Sequence, residues 1–140
     1  MSKYPDSNNC TVAIIGMGYV GLPLAVQIAE KNFSNINNSR IFRKVIGFDI
    51  KKERIHDLER KIDKTNEIES EKLKLLENLI YSSNIEDIID AEVYIITVPT
   101  PVDSANIPDL TALKNASMMI GKVLKERNHE LDMPLVIYES

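Results

Sequence analysis

The sequence has a single cysteine, no long apolar run and no large excess of either charge. One cysteine cannot form an internal disulfide bond, which favours a reducing compartment such as the cytoplasm. Apolar runs stay well below the about 18 residues needed to cross a membrane, and residues 1–9 lack the apolar core of a signal peptide. With 17 basic and 21 acidic residues, the net charge of −4 argues against a nucleic-acid-binding surface.

Residues that could carry metal or thiol chemistry are few and isolated in the sequence. His56 and His129 have no clustered partner at the spacing of a metal site, so a solvated or capping role is favoured for both. Cys10 has no nearby basic residue in the sequence that would activate its thiol. We therefore expect neither a metal site nor a catalytic residue among these 140 residues.

The most informative stretch is T-V-A-I-I-G-M-G-Y-V-G at residues 11–21. Its first five residues are apolar and rich in β-branched side chains, which is typical of a buried strand in a parallel sheet. Gly16, Gly18 and Gly21 follow as G-x-G-x-x-G, and apolar residues then continue at helical spacing. In a dinucleotide site these glycines permit a tight turn, the approach of a pyrophosphate and close packing of the helix, whose N-terminus attracts phosphate. A turn that merely joins strand to helix is the alternative.

Asp49 closes a second predicted strand, K-V-I-G-F-D at residues 44–49. A carboxylate at this place can accept hydrogen bonds from both hydroxyls of the adenosine ribose of NAD, and it would repel the 2′-phosphate of NADP. Asp49 lies 28 positions after Gly21, whereas about 20 is usual. We attribute the excess to an enlarged surface loop at residues 32–43, which are rich in Asn and Ser. An aspartate that only caps the following helix is the alternative.

Strand-like and helix-like segments alternate along the whole chain. This alternation predicts one α/β domain over residues 1–140, with residues 1–10 as a flexible tail. We expect a Rossmann-type, doubly wound parallel sheet in three layers, with strand order 3-2-1-4-5. The remaining strands are expected at 79–82, 92–98 and 135–139, and further helices at 51–60, 71–78, 84–88 and 109–127, the last of them capped by Asp109.

A second loop is expected beside the glycine turn. The predicted strand at 92–98 lies next to the first strand, and ligands bind where the strand order reverses. Val98, Pro99 and Thr100 lead into the loop that follows, where proline stiffens the backbone and Thr100 offers a fixed hydroxyl. Arg54 could stack on adenine or contact a ribose hydroxyl. A rigid turn without a ligand and an ordinary surface arginine remain open alternatives.

Four motifs, in this order, resemble the NAD-binding domain of the UDP-glucose/GDP-mannose dehydrogenase family. They are G-M-G-Y-V-G-L-P-L-A at 16–25, V-I-G-F-D-I at 45–50, Y-I-I-T-V-P-T-P at 94–101 and P-D-L-T at 108–111. V-P-T-P and the final Y-E-S are most similar to the branch that oxidises UDP-N-acetylhexosamines, including enzymes for Vi-type and O-antigen precursors. The resemblance covers nearly the whole chain and is weakest at residues 32–43 and 62–72.

The resemblance implies that the complete enzyme oxidises C6 of a UDP-sugar twice, from alcohol to carboxylate, and reduces two NAD. The family's thioester-forming cysteine, its central dimerisation helix and its sugar-binding domain lie downstream of such a domain. We therefore expect this chain to bind NAD without catalysis, and the full-length member to be a cytoplasmic homodimer or a larger assembly. The implied cofactor contacts are Gly16, Gly18, Tyr19, Val20, Gly21, Asp49, Arg54, Val98, Pro99, Thr100 and Ser140.

Two other hypotheses remain open at this point. The N-terminal domain of a β-hydroxyacid dehydrogenase also begins with G-x-G-x-x-G, although Y-V-G-L-P and V-P-T-P argue against it. Outside enzymology, the alternative is a regulatory NAD(H)-sensing Rossmann domain of similar size. A reading frame that continues past residue 140 with a cysteine-containing second domain would decide between these hypotheses.

Overall fold

The computed structural model describes residues 4–139, which form two sheets and the helices around them. The strands are β1 (Thr11–Ile15), β2 (Phe33–Ser34), β3 (Ser39–Arg40), β4 (Lys44–Phe48), β5 (Leu79–Ser82), β6 (Val93–Ile96) and β7 (Leu135–Tyr138). Five of them form a parallel sheet in the order β5-β4-β1-β6-β7. This order confirms the predicted doubly wound, Rossmann-type α/β fold.

Four α-helices and one 3₁₀ turn connect the strands. They are α1 (Gly21–Glu30), α2 (Lys52–Glu59), α3 (Ser70–Lys74), α4 (Thr111–Glu126) and the 3₁₀ turn Ile85–Ile88. The 3₁₀ turn begins as predicted, because the side chain of Asn84 accepts a hydrogen bond from the Glu86 N–H. Among the described helices, none combines the length and the apolar character that a membrane crossing requires.

Strand β1 lies at the centre of the sheet and is covered on both faces. Val12 and Ile14 pack on the side of α1, α2 and α3, whereas Ala13 and Ile15 pack on the side of α4 and the 3₁₀ turn. Because strand side chains alternate between faces, a strand covered on both sides needs apolar residues at successive positions. This requirement explains the unbroken apolar run of β1 and gives the domain its three layers.

Residues 32–43 differ from the surface loop that we expected. Phe33–Ser34 and Ser39–Arg40 pair as a short antiparallel hairpin, and Asn38 at its turn has φ +50°. Asparagine tolerates this left-handed conformation better than most residues, so the Asn-rich composition suits a tight hairpin turn as well as an open loop. The hairpin lies at the amino-terminal end of β4, which begins at Lys44.

The segment expected to be a flexible tail makes defined contacts at residues 6–10. The backbone N–H of Cys10 donates to the Asp6 carbonyl at 2.9 Å, and the Cys10 side chain lies in the core. The Asn8 carbonyl accepts from the Phe42 N–H at 2.6 Å. The Ser7 carbonyl accepts from Arg43 Nε at 2.6 Å. These residues therefore join the base of the hairpin to the start of β1.

Candidate functional site

A cleft of about 880 Å³ lies at the carboxyl-terminal ends of β1, β4 and β6. This is where the strand order reverses, the place at which open parallel sheets bind ligands. The glycine turn, the end of β4, the loop after β6 and the first turns of α4 form its walls. Its lining includes Gly16, Gly18, Tyr19, Val20, Asp49, Ile50, Lys51, Val98, Pro99, Thr100, Ala112, Asn115, Met119 and Glu139.

The three glycines of the turn have three different environments. Gly16 has φ +103°, a conformation that side chains with a Cβ rarely adopt. A Cβ built on Gly21 would lie 1.6 Å from the Gly16 carbonyl oxygen, so the helix can start this close to the strand only without a side chain. A Cβ on Gly18 would meet no atom within 4 Å and would occupy open space in the cleft. The described geometry therefore agrees with the role predicted for each glycine.

The backbone after Gly18 is suited to bind an anion. Val20 is the N-cap residue of α1, and no side chain caps this end of the helix. Within residues 4–139, the N–H groups of Gly18, Tyr19 and Val20 donate to no acceptor. These unpaired N–H groups and the positive end of the helix dipole favour a phosphate here. Open space at Gly18 together with free donors fits the pyrophosphate of a dinucleotide.

Asp49 lies in the cleft and organises the backbone around it. Its Oδ2 accepts a hydrogen bond from the Met17 N–H at 2.9 Å, and its Oδ1 accepts one from the Lys51 N–H at 2.9 Å. Each carboxylate oxygen can accept a further bond, so both remain able to bind hydroxyl groups. Asp49 does not cap α2, because the N-cap residue of that helix is Lys51 and no side chain caps it. The carboxylate instead faces the predicted ribose site.

The structure pairs the Arg54 side chain with the glycine turn and with Asp63. Arg54 Nε donates to the Met17 carbonyl oxygen at 2.7 Å, and Nη2 lies 2.9 Å from Asp63 Oδ1. The side chain is 12% exposed, and Arg54 is absent from the cleft lining. The buried carboxylate of Asp63, nine positions later in the chain, holds the guanidinium, and no sequence pattern indicates this pairing.

The loop after β6 forms the wall opposite Asp49. Val98, Pro99 and Thr100 all line the cleft, as predicted from the sequence. Ser140, which was also predicted to contact the cofactor, lies outside the described residues. Of the eleven predicted residues, the structure brings eight to the cleft lining. Gly21 does not line the cleft, but it lets α1 start close to the Gly16 carbonyl oxygen.

Sequence reasoning missed Thr97, which ties the proline loop to the glycine turn. Thr97 Oγ1 lies 3.0 Å from the Ile15 carbonyl oxygen and 2.9 Å from that of Gly16. A Cβ on Gly21 would be only 2.5 Å from this hydroxyl, so the same contact requires glycine in α1. A polar residue at the end of an otherwise apolar strand was the available signal.

Helix α4 also contributes to the cleft, and the sequence did not indicate this. Ala112, Asn115 and Met119 lie one turn apart and line the cleft from its first turns. The helix starts at Thr111, and its N-cap residue is Leu110, not the predicted Asp109. Asp109 Oδ1 accepts a hydrogen bond from the Thr111 N–H at 2.9 Å, just before the first turn. Hydrogen bonds from Thr111 lower the pKa of Asp109. The i, i+3 and i+7 spacing of these residues is visible in the sequence, but only the tertiary fold turns this helix face toward the cleft.

Other candidate sites carry less chemistry. Among residues 4–139 no group of three or more His, Cys, Asp and Glu side chains could hold a metal ion. A second cavity of about 650 Å³ lies at the opposite edge of the sheet, between the end of α1, the hairpin and Asn78. Asn78 Nδ2 donates there to the carbonyls of Ala29 and Arg43, at 3.0 and 2.9 Å, so its role is structural.

Comparison with known proteins agrees with this geometry. The family model for the UDP-glucose/GDP-mannose dehydrogenase family, NAD binding domain, matches residues 10–140. A UDP-N-acetyl-D-glucosamine 6-dehydrogenase from Pseudomonas aeruginosa is 44% identical over 92% of this chain and 26% of its own length. Protein CapL from Staphylococcus aureus is 43% identical over 94% of this chain and 27% of its own length.

A solved structure gives the same result for the fold. The UDP-D-ManNAc dehydrogenase from Pyrococcus horikoshii superposes with a TM-score of 0.71 at 29% identity, over 93% of this chain and 28% of that one. The chain therefore spans about a quarter of the length of the relatives that it matches. The family match decides against a β-hydroxyacid dehydrogenase domain, and it establishes NAD as the cofactor. The chain belongs to the UDP-glucose/GDP-mannose dehydrogenase family, of which it is the NAD-binding domain.

Proposed function

We propose that this domain serves an enzyme that oxidises C6 of a UDP-N-acetylhexosamine to the carboxylate with two NAD. The observation that carries the proposal is the 44% identity to a protein named as a UDP-N-acetyl-D-glucosamine 6-dehydrogenase. The protein named as a UDP-D-ManNAc dehydrogenase is 29% identical. This difference favours a gluco-configured sugar over a manno-configured one.

In this proposal the domain binds and orients the dinucleotide. NAD, when bound, supplies the hydride acceptor. The N–H groups of Gly18, Tyr19 and Val20 hold the pyrophosphate, and the Asp49 carboxylate accepts hydrogen bonds from the adenosine ribose. Val98 and Thr100 form the wall on the nicotinamide side. The apolar side chains that line the same cleft exclude water from the reacting end.

The domain by itself holds no candidate for the nucleophile of a thioester mechanism. Cys10 is the only cysteine of the sequence and lies before β1, at the opposite edge of the sheet from the cleft. Five strand residues separate the two edges by about 16 Å. Burial also raises the pKa of the Cys10 thiol, which disfavours the thiolate. We therefore assign the nucleophile and the UDP-sugar site to the rest of the enzyme.

Three further features follow from the family resemblance. The complete enzyme works in the cytoplasm, where its nucleotide-sugar substrate and NAD occur. Its product is a precursor for surface polysaccharide. It assembles as a homodimer or a larger oligomer through segments that lie beyond this domain.

The proposal is tested by comparing the 140-residue chain with a longer protein that carries this domain. Calorimetry should detect NAD binding to the 140-residue chain. NADH absorbance should stay at background when UDP-N-acetylglucosamine or UDP-N-acetylgalactosamine is added, because the nucleophile and the sugar site are absent. The longer protein should produce two NADH per sugar. NADH formation by the short chain, or none by the longer one with either sugar, would contradict the proposal.

A further inference from the structure

Thr97 is a buried polar residue directly after β6, and its side chain faces the end of β1. The residue is 6% exposed, and its N–H donates to the Ile15 carbonyl oxygen at 2.9 Å. Its hydroxyl lies 3.0 Å from the same oxygen and 2.9 Å from the Gly16 carbonyl oxygen, but it has only one proton to donate. Within residues 4–139 the Gly16 carbonyl oxygen accepts from no other group, so we assign the proton to Gly16.

The space around this hydroxyl is small, so a change of the side chain has to preserve its shape. A Cβ on Gly21 would lie 2.5 Å from Thr97 Oγ1, and a Cβ on Gly16 would lie 3.3 Å from the Thr97 carbonyl carbon. Thr97 therefore packs directly against the first and third glycines of the turn. Valine has nearly the shape of threonine but no proton to donate, so this substitution isolates the contribution of the hydroxyl.

The Gly16–Met17 peptide connects the Thr97 hydroxyl to Asp49. The described chain has no cis peptide bond, and in a trans peptide the C=O and the following N–H point in opposite directions. Thr97 donates to the C=O end of this peptide, and the N–H end donates to Asp49 Oδ2 at 2.9 Å. Because both ends are held, the peptide cannot rotate without breaking one of these bonds. The Thr97 hydroxyl therefore helps to fix the N–H that Asp49 accepts.

Two N–H groups define the plane of the Asp49 carboxylate. Oδ1 accepts from the Lys51 N–H and Oδ2 from the Met17 N–H, each at 2.9 Å. A carboxylate held by only one of these groups could rotate, and its remaining lone pairs would then no longer face the predicted ribose position. The orientation of the carboxylate thus depends on the Met17 N–H and, through the same peptide, on Thr97.

We propose that Thr97 is a positioning residue for ribose recognition, acting on Asp49 through the Gly16–Met17 peptide. A carboxylate that is already oriented does not have to be ordered when the ligand arrives, so affinity improves. Strands β6 and β4 lie on opposite sides of β1, so a residue after one strand controls recognition at the end of the other. This inference rests on NAD binding with its ribose at Asp49 and adds how that carboxylate is kept in place.

The first test measures the NAD affinity of Thr97→Val and Thr97→Ser by calorimetry. Thr97→Val should weaken NAD binding about fivefold, the effect of one neutral hydrogen bond. Thr97→Ser keeps the hydroxyl and should stay within about twofold of the parent. Thr11→Val is the matched control, because Thr11 is a strand residue whose hydroxyl makes no hydrogen bond among the described residues. Thr97→Val with parental affinity would overturn the proposal.

The second test separates positioning of Asp49 from a general loosening of the glycine turn. The affinity loss of Thr97→Val is measured with ADP and with 2′,3′-dideoxy-ADP, which lacks the ribose hydroxyls but carries the same pyrophosphate. Positioning of Asp49 predicts a loss of about fivefold with ADP and none with the dideoxy ligand. An equal loss with both ligands would mean that Thr97 only supports the pyrophosphate turn, and the proposal would fail.

The third test combines Thr97→Val with Asp49→Ala. Asp49→Ala removes the carboxylate on which Thr97 acts, so the added Thr97→Val should cause no further loss of NAD affinity. Two losses that multiply would contradict the proposal. Thr97→Ala also lacks the hydroxyl, and it takes the place of Thr97→Val in all three tests if thermal unfolding shows that the valine variant is not folded. A parent chain that fails to bind NAD would instead overturn the cofactor site itself, and this proposal with it.

Discussion

Single glycines decide whether the turn can fold and whether it can bind. Gly16 is needed because its φ is +103°, which other residues rarely adopt. Gly21 is needed because a Cβ there would lie only 1.6 Å from the Gly16 carbonyl oxygen. Gly18 is different, because nothing in the protein occupies the space beside it. Folding therefore constrains the first and third glycines, whereas only the ligand constrains the second. The G-x-G-x-x-G pattern thus combines a requirement for folding with a requirement for ligand binding, and substitutions at different glycines can separate the two.

Gly18→Val should abolish NAD binding while the domain stays folded. A valine side chain would occupy the space needed for the pyrophosphate, but its Cβ would meet no protein atom within 4 Å. The free energy of unfolding should therefore change by less than about 1 kcal/mol. Thermal unfolding is measured with and without NAD, and the ligand-induced shift of the midpoint should vanish. Gly121→Val is the control, because a Cβ there also meets nothing within 4 Å. A shift retained by Gly18→Val would refute the pyrophosphate site.

NAD should bind at least about tenfold more tightly than NADP, a difference of about 1.4 kcal/mol. The Asp49 carboxylate would repel a 2′-phosphate, and the ion pair of Arg54 with Asp63 limits how far the guanidinium can offset that repulsion. Asp49→Asn should reduce this difference between the affinities for NAD and NADP. The difference is measured by titrating both cofactors at the same ionic strength. Asp90→Asn makes the same chemical change at an exposed position outside the cleft and should leave the gap unchanged. Equal affinities in the parent would show that Asp49 does not face the 2′ position.

Segments without periodic structure matter as much as helices and strands in this domain. Residues 61–68 form neither helix nor strand, yet Asp63 organises them through four hydrogen bonds and one ion pair. Four donors converge on one carboxylate, so the loop depends on the charge of a single side chain. The loop in turn holds Arg54 against the glycine turn.

Stability should fall in acid as Asp63 becomes protonated. Its pKa is about 2 in the folded chain against 3.8 in the unfolded reference, so the folded state binds its proton more weakly. The stabilisation is complete above about pH 4 and is lost as the pH falls toward 2, at a cost of about 2 kcal/mol. Urea unfolding between pH 5 and 2 measures this slope, which Asp63→Asn should flatten. An identical slope in the variant would assign the acid sensitivity to other carboxylates.

The elements that could be predicted from the sequence are those whose patterns lie within a few neighbouring residues. The apolar run of β1, the glycine turn and the closing Asp49 each carry their meaning within a few residues, and the structure places them as expected. The pairing of Arg54 with Asp63 was not predicted, because Asp63 lies in a polar loop that has no periodic pattern. The hairpin at 33–40 was read as a loop because Asn and Ser favour both. Helix α4 was found, but only the fold shows that it lines the cleft.

Over the whole molecule, the two edges of the sheet have separate tasks. The carboxyl edge carries the cleft, formed by loops from four distant parts of the sequence. The amino edge carries the hairpin, residues 6–10 and the second cavity, all held by hydrogen bonds within the domain. Cofactor binding can therefore depend on a few backbone groups at the carboxyl edge. The contacts at the amino edge hold the strands in place.

The central position of β1 has a consequence for the speed of folding. Thr11 pairs with Lys44, 33 positions later, and Val12 pairs with Val93, 81 positions later. Closing such long chain segments costs entropy before the contacts repay it, so parallel sheets of this kind fold slowly. We expect β1 and β4 to become protected before β6 joins, which pulsed hydrogen exchange during refolding would resolve. Simultaneous protection of all three strands would mean that they form in one step. During synthesis, β1 is made first, but its second neighbour, β6, begins only at residue 93.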